Sequence, residues 1–256
     1  MLDKIVVQTR LAVAAAKMDE PLAKIENQVV SGSFAFSGAI KKAEWALIAE
    51  CKLASPAKGT LCNKYTVLEL AQIYASNGAT ALSVHTNTAF HGHIDDIAKV
   101  KAAVELPVLC KEFIIDEYQL YAARAAGADA VLLIAAILSD AELVRFLQIA
   151  RELGMDCLVE VHTLAELIRV QQTEAQLIGI NNRDLQTFTT TIAQTFTLLK
   201  HCEPDRVLIS ESGIKNGEDA QKLKTAGVKG ILVGESLVIA NDVAVMTREL
   251  ALSGSK

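Results

Sequence analysis

Eight short apolar runs, each followed by an amphipathic helical pattern, constrain this chain more than any other feature. The runs are Ala46–Cys51, Ala79–Val84, Pro107–Lys111, Ala130–Ile134, Asp156–Val161, Leu177–Asn181, Val207–Ser210 and Ile231–Gly234. Apolar runs of this length, bounded by turn residues, read as buried strands. Between them come helical patterns such as Thr66–Ser76, Glu117–Ala126, Ala141–Leu153, Leu164–Gln171, Thr191–Lys200 and Gly217–Thr225. Glycine recurs where helix gives way to strand, at Gly78, Gly127, Gly154 and Gly227, where a left-handed cap closes a helix. Eight alternating units with no linker between them predict a (β/α)8 barrel of the TIM type. A doubly wound sheet is the alternative, but it calls for Gly-x-Gly-x-x-Gly after the first strand, and that motif is missing. Ahead of the barrel, Leu2–Met18 has apolar residues at helical spacing and Asp19-Glu20-Pro21 starts a second short helix. The expected layout is one domain: residues 1–45 a helical extension, 46–240 the barrel, and 241–256 a C-terminal helix and tail.

The chain's 256 residues are 51% apolar, enough for a large soluble core. A net charge of −5 without a basic tract argues against nucleic acid and anionic membranes as partners. An anionic substrate would then have to be met by local positive charge, which singles out Lys52, Lys58, Lys111 and Arg183. The five cysteines are odd in number and lack CxxC spacing, so they read as small buried hydrophobes in a reducing compartment. The N-terminus shows no signal-peptide core, and the most apolar segment, Ala130–Leu138, is too short to span a bilayer. A cytoplasmic location is expected.

In a barrel, chemistry collects at the C-terminal ends of the strands. Those ends carry Glu50 and Lys52, Thr86, Lys111, Glu160, Asn181 with Arg183, Glu211-Ser212-Gly213, and Gly234-Glu235-Ser236. Glu50 and Lys52 stand two apart and so share a face, and Ser55-Pro56 ends their strand. Ser212-Gly213 and Gly234-Glu235-Ser236 follow the seventh and eighth strands, the usual phosphate site of such barrels. Lys111 fits a general acid that protonates a carbonyl or hydroxyl, and equally a Schiff-base nucleophile if desolvated. Glu160 is placed to be the complementary base. His91 and His93 form His-x-His near His85, but no carboxylate or cysteine at ligand spacing joins them, so no metal site is expected. His162 is read as pointing away from Glu160, toward the helices, in a structural role.

The ordered rim motifs carry a resemblance. They are Ile48-Ala49-Glu50-Cys51-Lys52-Leu53-Ala54-Ser55-Pro56, Leu109-Cys110-Lys111-Glu112-Phe113-Ile114-Ile115-Asp116, Leu158-Val159-Glu160-Val161-His162, Gly179-Ile180-Asn181-Asn182-Arg183-Asp184-Leu185, Ser210-Glu211-Ser212-Gly213-Ile214 and Leu232-Val233-Gly234-Glu235-Ser236-Leu237. From Phe34 onward the chain resembles the indole-3-glycerol phosphate synthase family. The resemblance implies ring closure of 1-(2-carboxyphenylamino)-1-deoxyribulose 5-phosphate with loss of carbon dioxide and water. It implies Lys111 as general acid and Glu160 as general base, with Lys52 contacting substrate and able to donate a proton. It places Glu50, Asn181 and Glu211 as residues holding intermediates and lysines, and Arg183, Ser55, Phe90 and Ser212 against the substrate. Ser212, Gly213, Gly234 and Glu235 then form the phosphate cradle. No cofactor or metal is implied, and association with other tryptophan-pathway enzymes is conceivable.

Two departures from the family pattern stand out. After the second strand the family usually has Leu-Thr-Asp/Glu, two adjacent aromatics and Gly-Ser, whereas this chain reads His85-Thr86-Asn87-Thr88-Ala89-Phe90-His91-Gly92-His93. Ala57 also replaces a frequent serine. The stretch Thr86–His93 is expected to form a mobile flap in which Phe90 faces the substrate's aromatic ring and His91 replaces the second aromatic.

Overall fold

Side-chain alternation along each strand decides what the barrel encloses. A computed structural model describes residues 2–56, 58–184 and 189–253; Ala57, Leu185 and residues 254–256 of the expected tail lie outside the described residues. Among the described residues, eight parallel strands close in the order β1-β8-β7-β6-β5-β4-β3-β2. They are β1 Ala46–Cys51, β2 Ala81–His85, β3 Val108–Lys111, β4 Ala130–Ile134, β5 Asp156–Val161, β6 Leu177–Asn181, β7 Val207–Glu211 and β8 Gly230–Val233. Each expected strand is present, four with the expected bounds and four with ends moved by one or two residues; β2 begins at Ala81 rather than Ala79 and reaches His85.

One parity of each strand faces inward. Ile48, Leu109, Leu132, Leu158, Leu177, Ile209 and Leu232 form a continuous apolar cluster inside the barrel. Their strand neighbours Leu47, Ala49, Val108, Leu133, Val159 and Ile178 belong to the outer cluster shared with the helices. Two residues further along the same inward parity come Glu50, Lys111, Glu160 and Glu211. Polar side chains therefore stand on an apolar floor, and the strands themselves aim them.

The N-terminal segment works at both ends of this cylinder. Its first helix, α1, spans Leu2–Asp19 and its second, α2, spans Leu22–Glu26 after Pro21, as the spacing predicts. Lys17 pairs with Asp116 at 2.7 Å, and the Tyr118 hydroxyl lies 3.2 and 3.1 Å from the Ala16 and Glu20 carbonyls, which moors the pair to the barrel wall. A third helix, α3 (Ala35–Lys42), is only eight residues long and carries Gly38 at its centre. It nevertheless plugs the barrel floor. Phe36 and Ile40 are fully buried in the inward cluster, and the Ser37 N–H donates to Asp156, at the start of β5, at 2.8 Å.

The helices that wrap the strands begin where the sequence supplies caps. Capping boxes Thr66–Glu69 and Ser139–Glu142 open Val67–Ser76 and Asp140–Glu152, each satisfying two otherwise unpaired N–H groups. All five cysteines are free, and burial pushes the thiols of Cys51, Cys110, Cys157 and Cys202 up, Cys110 to about 12, which makes it a poor nucleophile. Among the described residues no helix is long and apolar enough to cross a membrane.

Phe36 has the most to lose. Truncating Phe36 to Ala should remove about 3–5 kcal/mol of stability by opening a cavity under the barrel, measured as a lowered urea midpoint at unchanged slope.

Candidate active site

A cavity of about 520 Å³ opens at the C-terminal ends of the strands. Its lining includes every expected site residue: Glu50, Lys52, Ser55, Phe90, Lys111, Glu160, Asn181, Arg183, Glu211, Ser212, Gly213, Gly234 and Glu235. Leu2 and Ile5 of α1 reach the same mouth, as do Phe113, Leu132 and Ile134, which give it an apolar side.

Lys111 sits at the centre. Its ammonium lies 2.6 Å from Glu211 and 3.4 Å from Glu160, with side chains only 12%, 2% and 7% exposed. Lys111 and Glu160 do not end adjacent strands: one closes β3, the other lies on β5, and they meet across the width of β4. Burial alone would lower the Lys111 pKa, but Glu211, Glu160 and Glu50 together raise it above the usual lysine range. The lysine is therefore an ammonium. Burial favours a protonated Glu160, yet Lys111, His162 and a hydrogen bond from Asn181 hold it ionised below the usual carboxylate range. Glu211 goes the other way. Burial and the neighbouring Glu160 and Glu50 charges outweigh its contact with Lys111 and push it up to about 7. The cavity thus holds an acid, an ionised base and a carboxyl poised near neutrality.

A second charged pair stands on β1. Lys52 lies 3.7 Å from Glu50 and 5.3 Å over the centre of the Phe90 ring. Burial opposes ionisation of Glu50, but His85 and Lys52 hold its carboxyl far below the usual range. Gly234 and Gly179 make room for these groups: a Cβ on the first would collide with the Glu50 carboxylate, and on the second with that of Glu211. A side chain at Gly234 would thus disturb the carboxylate as well as the expected phosphate loop.

The loops after β7 and β8 have the shape of an anion cradle. Ser212 and Gly213 are consecutive left-handed residues, with φ 64° and 76°, and the short helix Glu235–Val238 starts directly after Gly234. Ser236 Oγ donates to the Ile214 carbonyl at 2.6 Å and ties the two loops together. Glu235 turns its carboxylate to Lys58, 2.5 Å away, which neutralises a negative charge beside the cradle. The Ser55 hydroxyl accepts from the Lys58 N–H at 3.2 Å, bracing the turn that carries this lysine.

Sequence reasoning overlooked Asn182. It is buried, and its amide nitrogen lies 2.9 Å from Ser210 Oγ and 3.0 Å from the Glu211 and Ser212 carbonyls, while its oxygen accepts from Thr195. This side chain holds the end of β7, and with it Glu211, in position. Its only outward signal is a second asparagine beside Asn181, surrounded by apolar strand residues.

The histidines need correction. His162 does not point away from Glu160: residues 160 and 162 share a parity, and the ring bridges Glu160, 3.3 Å from Nε2, and Glu166 on the following helix, 3.5 Å from Nδ1. Burial lowers its pKa, but Glu166 and Glu160 outweigh that and raise it. His91 does not face the aromatic wall; it is exposed, left-handed at φ 57°, and ends a 3₁₀ turn, Thr88–Phe90. Beside that turn, Asn87 and Thr86 donate hydrogen bonds of 2.7 and 2.9 Å to Glu112. The ring stacked on Phe90 is His85.

Fold and site together define a (β/α)8-barrel enzyme whose cavity buries one lysine among carboxylates. The family model for indole-3-glycerol phosphate synthase matches residues 2–250, and the chain belongs to that family. It is 51% identical over 212 residues to the indole-3-glycerol phosphate synthase of Desulforamulus reducens, covering 82% of this chain and 80% of that one. It is 44% identical over 257 residues to that of Albidiferax ferrireducens, covering 98% and 97%. The barrel also superposes on 3-hexulose-6-phosphate synthase from Salmonella typhimurium, with a TM-score of 0.67, 16% identity and coverage of 81% and 97%, a likeness of fold.

The raised Glu211 pKa has a consequence for stability. A carboxyl whose folded pKa lies above its unfolded value adds stability below about pH 4.5 that is lost as pH rises through about 7. Wild type should therefore lose ground to the non-titrating Glu211→Gln variant between those pH values in urea titrations; a difference that is flat with pH would refute the shift.

Proposed function

We propose that this chain catalyses the indole-3-glycerol phosphate synthase reaction, closing the pyrrole ring of 1-(2-carboxyphenylamino)-1-deoxyribulose 5-phosphate with loss of carbon dioxide and water. The observation that supports it best is a buried, fully charged Lys111 set between Glu160 and Glu211 in a barrel of that family.

Lys111 serves as general acid. It donates a proton to the ribulose carbonyl oxygen as the aromatic ring carbon bearing the carboxylate attacks, and departure of carbon dioxide restores aromaticity. The hydroxyl so formed then takes a proton and leaves as water, while Glu160 accepts the proton released as the pyrrole double bond forms. Lys52, beside Glu50 and over Phe90, touches the substrate and can supply one of the two protons. A Schiff-base role for Lys111 is disfavoured, because carboxylates that stabilise the ammonium withhold the neutral amine that such chemistry needs. Asn181 holds Glu160, and Glu50 and Glu211 hold the lysines. Arg183, Ser55 and Ser212 meet the substrate's polar groups, Phe90 and Phe113 its aromatic ring, and the loops at Ser212-Gly213 and Gly234-Glu235 its phosphate. We place the enzyme in the cytoplasm, consistent with five free thiols and with amino-acid biosynthesis. Contact with other enzymes of the tryptophan pathway would fit the same location.

Two outcomes test these assignments. Lys111→Ala and Glu160→Gln should each reduce turnover by roughly 10²–10⁴, the usual worth of a positioned proton donor or acceptor, in protein whose circular dichroism shows it folded at the assay temperature. Near-normal indole fluorescence yield from the Lys111→Ala protein would remove that residue from the mechanism. Inorganic phosphate should compete with substrate, and Gly213→Ala, which puts a methyl group against Thr190, should raise KM more than it lowers kcat; absence of both effects would move the phosphate site elsewhere.

A further inference from the structure

His85 lines the same cavity. It ends β2 on the inward parity, is 5% exposed, and lies against Lys111 in strand register. Its ring stacks flat on Phe90, with centroids 4.3 Å apart and planes 4° from parallel. Its Nε2 approaches Glu50 Oε1 to 3.2 Å, off the angle of a full hydrogen bond, and neither ring nitrogen is hydrogen-bonded among the described residues. Leaving a buried imidazole underused costs free energy, and an aliphatic side chain would avoid that cost. Something must use the ring.

We propose that His85 is a positioning residue for the reaction, clamping the Glu50 carboxylate with Nε2–H while its ring face holds Phe90 as one wall of the substrate cavity. The inference rests on the acid–base centre assigned above. Phe90 also lies 6.1 Å from Phe113 and under the Lys52 ammonium, so fixing its plane fixes the aromatic wall and the partner of Lys52 together. Glu50 in turn pairs with Lys52, so one histidine sets both ends of the β1 pair. Hydrogen bonds of this sort are often long without substrate and tighten when it binds. Burial lowers the His85 pKa more than Glu50 raises it, with Lys52 and Lys111 adding to the lowering, which favours the neutral ring with one N–H. Among the described residues Nδ1 has no hydrogen-bond partner, while Nε2 has the Glu50 carboxylate 3.2 Å away, which makes Nε2 the site of that proton.

The two functions separate by substitution. His85→Phe keeps the stack and loses the donor: kcat should fall about tenfold, the usual worth of a hydrogen bond to a charged group, with KM within about twofold. His85→Gln keeps an N–H donor and loses the ring: kcat should stay within about threefold while KM rises about fivefold, in the range of a lost aromatic pair. Nitrogen-15 NMR of labelled histidine in the wild-type protein should show His85 as the neutral Nε2–H tautomer. A His85→Phe enzyme with normal kcat, equal damage in both variants, or an Nδ1–H tautomer would overturn the proposal. Lys111→Ala in the same assay tells the two levels apart. If it retains turnover, the acid–base centre is wrong and the clamp falls with it; if it loses turnover while His85→Phe does not, only the clamp falls.

Discussion

One ammonium among three carboxylates governs this molecule. Lys111 is shared by Glu211 and Glu160 and feels Glu50, all in a mouth where little water reaches. Taking such charges out of water costs several kcal/mol each unless they meet good partners. The arrangement therefore survives only because the strands leave the groups no alternative. Each emerges at the top of an inward row whose lower members are Ile48, Leu109, Leu158 and Ile209, packed too tightly to let the rim collapse inward. Glycines at 179 and 234 give the carboxylates room, and Asn182 holds the backbone beneath Glu211. The unequal protonation that acid–base chemistry needs follows from crowding three acids around one base.

Much of this was legible in the primary structure, for definable reasons. Strand runs of four to six residues ending in charge have few alternatives, so the barrel and its rim could be read directly, and the rim residues line the cavity, save Thr86, which bonds to Glu112 instead. What escaped were relations that alternation or local periodicity does not state plainly. Lys111 and Glu160 are partners across an intervening strand, because long side chains reach further than one strand spacing. His162 belongs to the same parity as Glu160, and the strand's formal end at Val161 hides that. The helix α3 has a glycine at its centre and only two deeply buried apolar residues, so tertiary burial supplies what helical propensity withholds.

The loop after β2 shows how far a local departure can be read. A single aromatic and three histidines suggested a substituted wall, and the wall is indeed part histidine. The substituting residue is His85, on the strand, rather than His91, which the left-handed turn carries outward. Gly92 makes that turn possible, since a Cβ there would strike the His85 carbonyl. Strand parity was thus a better guide to side-chain direction than sequence proximity to Phe90.

The plug formed by α3 has a consequence for how the chain is made. Phe36 and Ile40 nest among residues drawn from β1 through β8, and β1 itself pairs with β8. Their full burial site exists only once the C-terminal strand has joined the ring. Residues near the start of the chain leave the ribosome early, yet the surface that receives them is completed by residues near 230. Contacts of such sequence separation are slow to form and leave apolar side chains uncovered in the interval. The helix that plugs the floor is therefore among the last elements to dock, and its hydrophobic face waits in solvent for the rest of the barrel to arrive.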